Sequence, residues 1–457
     1  MRPPTQSKSP IVPLIVTVIV VVLIFGSFRA LQPKIHTASE SEIRALLPPE
    51  LLQGSSLDIE AKARFKKLVS LASGPDLKTI TQLGDPKVGL SARAEIAGQF
   101  WQSNPKLLSD LNSLIESGPI QFDIGSTGVL DPSVLASIQS LSKLLTECAQ
   151  LRAKQGDYPA SVQLFTLCIK IDDRLRSSGG PLIAYLVAMS IDTMSAKEIS
   201  KAVLLPGFPD SACRQLLTAM KPSPVTDEDL ATAIRTDFQS YLYRQLPDPT
   251  KRFANADGGQ APNDDAANKE AIIGTYDALE TANMIGTTLR ISLLNARRPL
   301  SQFDGSASEL ARKESEGIPA YVNTSASGTN SNTWDKLKYK LAMNNIHNSI
   351  GRQMVSNDLM VGTGMVQLSD QWRAYHDAVR ILVATRIFRS THGGLLPKTK
   401  DELIPILGAW PHDPYNGGQM FYDPKKEVAY SVGKNLVDDG GAIGDSLGSK
   451  DLGISLK

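Results

Sequence analysis

"DPSVLASIQSLSKLLTECAQLRAKQGDYPASVQLFTLCIKIDDRLRS", residues 131–177, decides the class of fold. Val134, Ile138, Leu141, Leu145 and Cys148 recur at three- and four-residue spacing, which puts them on one face of a helix. Asp131 is a suitable N-cap, and Pro132 suits the first helical position, where its missing N–H costs nothing. Gly156 and Asp157 interrupt the pattern, and a second apolar helix begins at Tyr158. Two helices joined by so short a break predict an antiparallel hairpin.

The same periodicity extends in both directions. Segments 56–72 and 90–102 read as helices before the hairpin, and 181–205, 209–220, 226–244 and 266–297 read as helices after it. Helices resume over 334–357 and 369–393, and a short one covers 400–408. The expected fold is therefore mainly α, with an extended helical region over 29–320. Within it, "AKQGDYPAS" (153–161) resembles the turn of a tetratricopeptide unit, which would make 131–177 one such repeat. The alternative is an ordinary helical hairpin, because no second copy appears at the repeat period. The Pro-, Asp- and Gly-rich stretch 247–268 reads as a surface loop and 321–333 as a polar connector.

At the start, "IVPLIVTVIVVVLIFGSF" (11–28) carries no charge over 18 residues. At about 1.5 Å per residue it extends about 27 Å, close to the hydrocarbon thickness of a bilayer. No small-x-small cleavage pattern follows, so an uncleaved single-pass anchor is expected. Residues 1–10 would then be a short cytoplasmic tail, with the bulk outside the cytoplasm. The partners expected are the membrane, through 11–28, and other envelope proteins.

Composition narrows the function. The 457 residues are 42% hydrophobic and 21% charged, with a net charge of +1, which gives no basic surplus for nucleic acid. Three cysteines, Cys148, Cys168 and Cys213, form no close pair and signal neither zinc nor a disulfide framework. Cys148 and Cys168 fall on apolar helix faces as buried thiols. His376, His392, His412 and Asp413 lie in one region, yet no spacing among them matches a ligand helix. No nucleophile elbow or phosphate loop occurs, so the expectation is a non-enzyme.

The last region, 334–457, departs from the helical pattern. After the helix ending at Gly393 and Gly394 come an Asp-Pro turn and two alternating runs, around 420–422 and 428–432, reversed by "DPKK" (423–426). These predict a small antiparallel hairpin in a C-terminal α+β module, packed on the preceding helix through Leu382, Ile387 and Leu395. An acidic loop, "NLVDDGGAIGD" (435–445), follows.

This order resembles the C-terminal half of the type II secretion major pseudopilins. The residues that carry the resemblance are Gly394 and Pro397, Asp413 and Pro414, Gly417, Tyr422, Tyr430, Ser431 and Gly433, then Asp438, Asp439 and Asp445. A similar ending occurs in large membrane-anchored bacterial proteins of unknown function, which the chain resembles most. The resemblance implies a calcium loop formed by Asp438, Asp439 and Asp445, and calcium does favour such hard oxygen ligands. A solvated acidic turn is the alternative. No prepilin processing site precedes the apolar segment. The expected protein is a scaffold in the bacterial inner membrane that binds other proteins. The alternatives are an accessory of a type II secretion or pilus-like assembly, and a cell-envelope enzyme.

Overall fold

The computed structural model describes residues 34–52, 58–74, 77–85, 87–122, 132–239, 246–247, 275–316, 342–443 and 450–456. The apolar run 11–28, the connector 321–333 and Asp445 lie outside these, as does most of the 247–268 stretch. Among the described residues no helix is long and apolar enough to cross a membrane.

In chain order the elements begin with β1 (Lys34–His36), α1 (Glu40–Leu46), α2 (Ile59–Ala72), α3 (Leu77–Gly84), α4 (Leu90–Ser103) and α5 (Leu107–Glu116). Then come α6 (Pro132–Lys154), α7 (Tyr158–Arg176), α8 (Leu182–Val203), α9 (Asp210–Ala219) and α10 (Glu228–Asp237). Next are β2 (Thr275–Asp277), α11 (Ala278–Ala296), α12 (Ser306–Ser315) and α13 (Ser349–Thr391). The chain ends with α14 (Ile404–Leu407), β3 (Phe421–Asp423), β4 (Val428–Ser431) and β5 (Leu452–Ser455). The fold is mainly helical, with a small antiparallel sheet near the C-terminus.

Two units divide these elements. The smaller draws on residues 34–47, 246–247, 275–288, 309–316 and 342–358. In it β1 and β2 pair in parallel, Lys34 opposite Thr275. The Ser349 hydroxyl accepts from Thr275 N at 2.9 Å and donates to the Met343 carbonyl at 2.8 Å. Helix α1 opens on a capping box between Ser39 and Glu42, which satisfies two amides that a helix start leaves unpaired.

The larger unit is centred on α6, α7 and α8, each of which packs against the other two. Asp157 caps α7 by accepting Ala160 N at 3.4 Å, and Arg152 and Lys154 close α6, where a cation suits the carbonyl end of the dipole. Ile138, Leu141, Leu145 and Cys148 are buried as their spacing requires, with Leu135, Leu144 and Ala149 widening the stripe. Cys168 and Cys213 are buried too, and burial pushes the Cys168 thiol up to about 11. A large hydrophobic core runs from Phe65 through these helices to Leu456, and a smaller cluster joins Ala374, Tyr415 and Val432. Within α13, Ile381 to Ala384 are all buried, so this part of the helix is enclosed on every side.

Several boundaries differ from the periodicity. Of the helix expected over 266–297, residues 266–274 lie outside the described residues, 275–277 form β2, and the helix runs Ala278–Ala296. The pieces 334–357 and 369–393 meet in the continuous α13, which starts at Ser349 after a left-handed turn at Asn348 (φ 50°). Segment 400–408 forms a 3-10 turn followed by α14.

The expected C-terminal hairpin is present, with Phe421 opposite Tyr430, and β5 completes a sheet in the order β3-β4-β5. Gly453 lets the last strand approach, because a Cβ there would lie 2.2 Å from the Ala429 carbonyl oxygen. Asp413 fastens the sheet to the turn before it. Its carboxylate accepts Tyr415 N at 2.8 Å, the Ser431 hydroxyl at 2.7 Å and Val432 N at 3.0 Å. Gly433, at φ 68°, passes so near the Lys450 carbonyl that a Cβ would sit 2.7 Å from it. Ile387 and Leu382 join the core with Ala429 and Met420, as expected, but Leu395 does not. It is 69% exposed, because the chain has already turned outward at the glycine pair ending α13.

Ile387→Ala should therefore lower unfolding free energy by about 2–5 kcal/mol, as a buried truncation leaving a cavity does, whereas Leu395→Ser should change it by less than about 0.5 kcal/mol. Denaturant titration checks this, and comparable losses at the two positions would overturn the placement of Leu395.

Candidate functional site

Helix α13 carries Arg373, His376 and Arg380 at three- and four-residue spacing, hence on one face. All three are buried. A buried cation is costly unless paired, and each has a carboxylate. Arg373 binds Asp370, Arg380 binds Asp377 at 3.1 Å, and His376 binds Asp192 on α8 at 3.0 Å.

Each cation also holds the backbone that follows α9. Arg373 donates to the carbonyls of Pro224 at 3.0 Å and Val225 at 3.1 Å. His376 Nε2 contacts the Lys221 carbonyl at 2.9 Å, and Arg380 Nε donates to Met220 O at 2.8 Å. Four carbonyls of 220–225 are thus tied to one face of α13. Ser223 adds its amide to Asp377 and its hydroxyl to the Arg373 carbonyl, both at 3.4 Å.

The electrostatics follow from this geometry. His376 faces a carboxylate through Nδ1 and a carbonyl through Nε2, and both acceptors need a hydrogen from the ring. Only the imidazolium carries both. Burial opposes that charge, but Asp192 outweighs it and raises the His376 pKa to about 9. Burial likewise opposes the Asp192 charge, and His376, Arg176 and the Trp372 N–H together hold its carboxyl below the usual range. Asp370 goes the other way: burial dominates over Arg373 and raises it to about 7, with Oδ2 lacking a hydrogen-bond partner among the described residues.

A second layer extends to α7. The Arg176 guanidinium lies 4.6 Å from the Trp372 ring centroid and pairs with Asp173 at 2.6 Å and Asp172 at 3.6 Å. Asp227 caps α10 through Leu230 N at 2.9 Å, and its other oxygen receives the Tyr185 and Ser369 hydroxyls.

The 221–224 segment forms one wall of a groove of about 870 Å³. Its cations are Lys170, Arg174 and Arg176 from α7, Arg214 from α9, and Lys221. Its carboxylates are Glu116, Asp173 and Asp229, and Ile115, Ala219, Pro222 and Pro224 supply apolar surface. Lys170 pairs with Glu116, and Lys221 with Asp173 at 2.6 Å.

Of the expected metal residues, Asp438 and Asp439 lie elsewhere, in the acidic loop, and Asp445 is outside the described residues. Asp438 Oδ1 accepts the Tyr430 hydroxyl at 3.1 Å and Gly440 N at 2.8 Å, and Asp439 Oδ2 accepts Asn435 Nδ2 at 2.9 Å. The buried Asp451 organises the loop by accepting Asp439 N at 3.2 Å and Gly441 N at 2.6 Å. The Lys426 ammonium donates to the Gly440 carbonyl. Among the described residues no three His, Cys, Asp or Glu side chains are clustered closely enough to hold a metal. His392 stacks on Phe388 with centroids 3.8 Å apart, and His412 sits in a bridge to Gln419.

No family model matches the chain, and neither a curated protein nor a solved structure matches it.

His376, with its raised pKa, contributes stability that is complete below about 6.5, its unfolded value, and lost as pH rises through about 9. Asp370, also raised, loses its contribution as pH rises through about 7. The melting temperature should therefore fall between pH 6.5 and 9, with the His376 share on the order of 3 kcal/mol. His376→Gln should flatten the alkaline part of that decline. A wild-type profile level across this window would refute the imidazolium assignment.

Proposed function

We propose that this protein is a membrane-anchored, extracytoplasmic helical scaffold that holds a partner protein in the groove of its larger unit. The observation carrying this reading is the construction of the groove wall. Its 220–225 backbone is fixed through four carbonyls by buried cations, so little ordering remains to oppose binding. The combination of mixed charge and apolar surface in its lining suits protein recognition. The uncharged run Ile11–Phe28 supports the anchor, and the short tail before it supports an extracytoplasmic bulk.

The C-terminal sheet completes the reading as a module stabilised by calcium, held by Asp438, Asp439 and Asp445. Bound to the folded state alone, calcium raises stability in proportion to the logarithm of its excess.

Two measurements test the proposal. A photoreactive side chain at Thr218, inside the groove, should give a discrete protein adduct in cells expressing the full-length chain, while one at the exposed Lys154 should not. Failure to trap any protein at Thr218 would defeat the scaffold reading. Separately, calcium should raise the melting temperature over chelator, and the Asp438→Ala, Asp439→Ala double variant should abolish the shift. Superimposable melts with calcium and with chelator would remove the metal from the proposal.

A further inference from the structure

The charge inside the groove is not evenly balanced. Lys170, Arg176 and Lys221 each have a carboxylate partner within the groove. Two lining cations do not. Arg174 donates its Nε to the Ile115 carbonyl at 3.3 Å and has no carboxylate within ion-pair distance among the described residues. Arg214 reaches only Asp210, at 3.6 Å and one helical turn away, and its side chain is 56% exposed. These two guanidinium groups come from different walls, α7 and α9, and account for the groove's surplus of positive charge.

We propose that the groove takes an extended acidic segment of a partner protein, with Arg174 and Arg214 as its carboxylate anchors. The proposal rests on the reading of the groove as the partner-binding surface. A guanidinium presents a planar fork of donors matched to a carboxylate; Arg174 is engaged only through Nε, and Arg214 has only the long 3.6 Å contact from one terminal nitrogen to Asp210. The interleaved carboxylates decide against a dense polyanion. Glu116, Asp173 and Asp229 repel closely spaced phosphates, but tolerate isolated carboxylates separated by neutral residues. Ile115, Ala219, Pro222 and Pro224 offer seats for the small apolar side chains between them. The groove's volume is near the top of the roughly 300–1,000 Å³ of small-molecule sites, with room for more than one residue of a bound chain.

The test uses the full-length protein and three fluorescein-labelled ten-residue peptides on one Ala/Leu/Pro background, bearing two Glu, two Gln or two Lys. Anisotropy should show the Glu peptide binding about tenfold tighter than the Gln peptide, with the Lys peptide weakest. The double variant Arg174→Glu, Arg214→Glu should lose that preference and favour the Lys peptide; its melting curve checks that it folds. Tripolyphosphate should compete worse than unlabelled Glu peptide. The inference fails if Gln or Lys peptides match the Glu peptide, if charge reversal leaves Glu binding intact, or if tripolyphosphate competes better. Should no peptide bind while Thr218 still traps a protein, the acidic-segment inference falls and the scaffold reading stands. Absence of both signals rejects both.

Discussion

Three buried cations on one face of α13 are the constraint on which the larger unit depends. A charge taken out of water must find an opposite charge and fill its remaining hydrogen-bond positions, or it becomes more costly than a hydrophobic replacement. Arg373, His376 and Arg380 pair with Asp370, Asp192 and Asp377 and donate further hydrogens to carbonyls of 220–225, while the buried Arg373 Nε has no hydrogen-bond partner among the described residues. That second set of bonds gives the arrangement its geometric content. A hydrophobic face would hold α13 against its neighbours equally well, but it could not fix the path of an irregular segment carbonyl by carbonyl. The groove inherits its shape from this directional bonding rather than from packing alone.

The C-terminal sheet obeys a related principle with carboxylates in place of cations. Asp413 gathers three donors from the turn and the end of β4, and Asp451 gathers two amides of the acidic loop. Irregular backbone is expensive to bury because its amides lack regular partners, and a single carboxylate can satisfy several. Asp413 sits with the Asp-Pro turn and Asp451 opens β5, so each aspartate closes a stretch that no strand could close.

The helical architecture and the C-terminal hairpin were legible in the sequence through their periods. The stripe from Ile138 to Cys148 records which face meets the core, whereas the alternation over Val428 to Val432 belongs to a strand buried on both faces. Short or aperiodic features left no such record. Strands β1 and β2 have three residues each, too few to establish alternation. Strand β5 pairs through Gly453, a residue whose usual reading is an interruption. The charge ladder stayed hidden for a different reason. Asp370, Arg373, Asp377 and Arg380 resemble a solvated face, and only the surrounding run of apolar residues, Ile381 to Ala384, marks that helix as enclosed. His376 stood out in the sequence, but its partners Asp192 and Lys221 are more than 150 residues away. Linear spacing cannot reveal them.

That separation also orders events in time. During synthesis, residues 220–225 and the helices beside them are made well before α13 exists. Until then their carbonyls have only water as a partner, and Asp192 has no imidazolium to neutralise it. The helical hairpin of α6 and α7 can form from local contacts, as elements close in sequence do most readily. The wall of the groove cannot. Its shape arrives only when Arg373, His376 and Arg380 dock, so the nascent chain carries the groove's lining residues long before it has the surface they form.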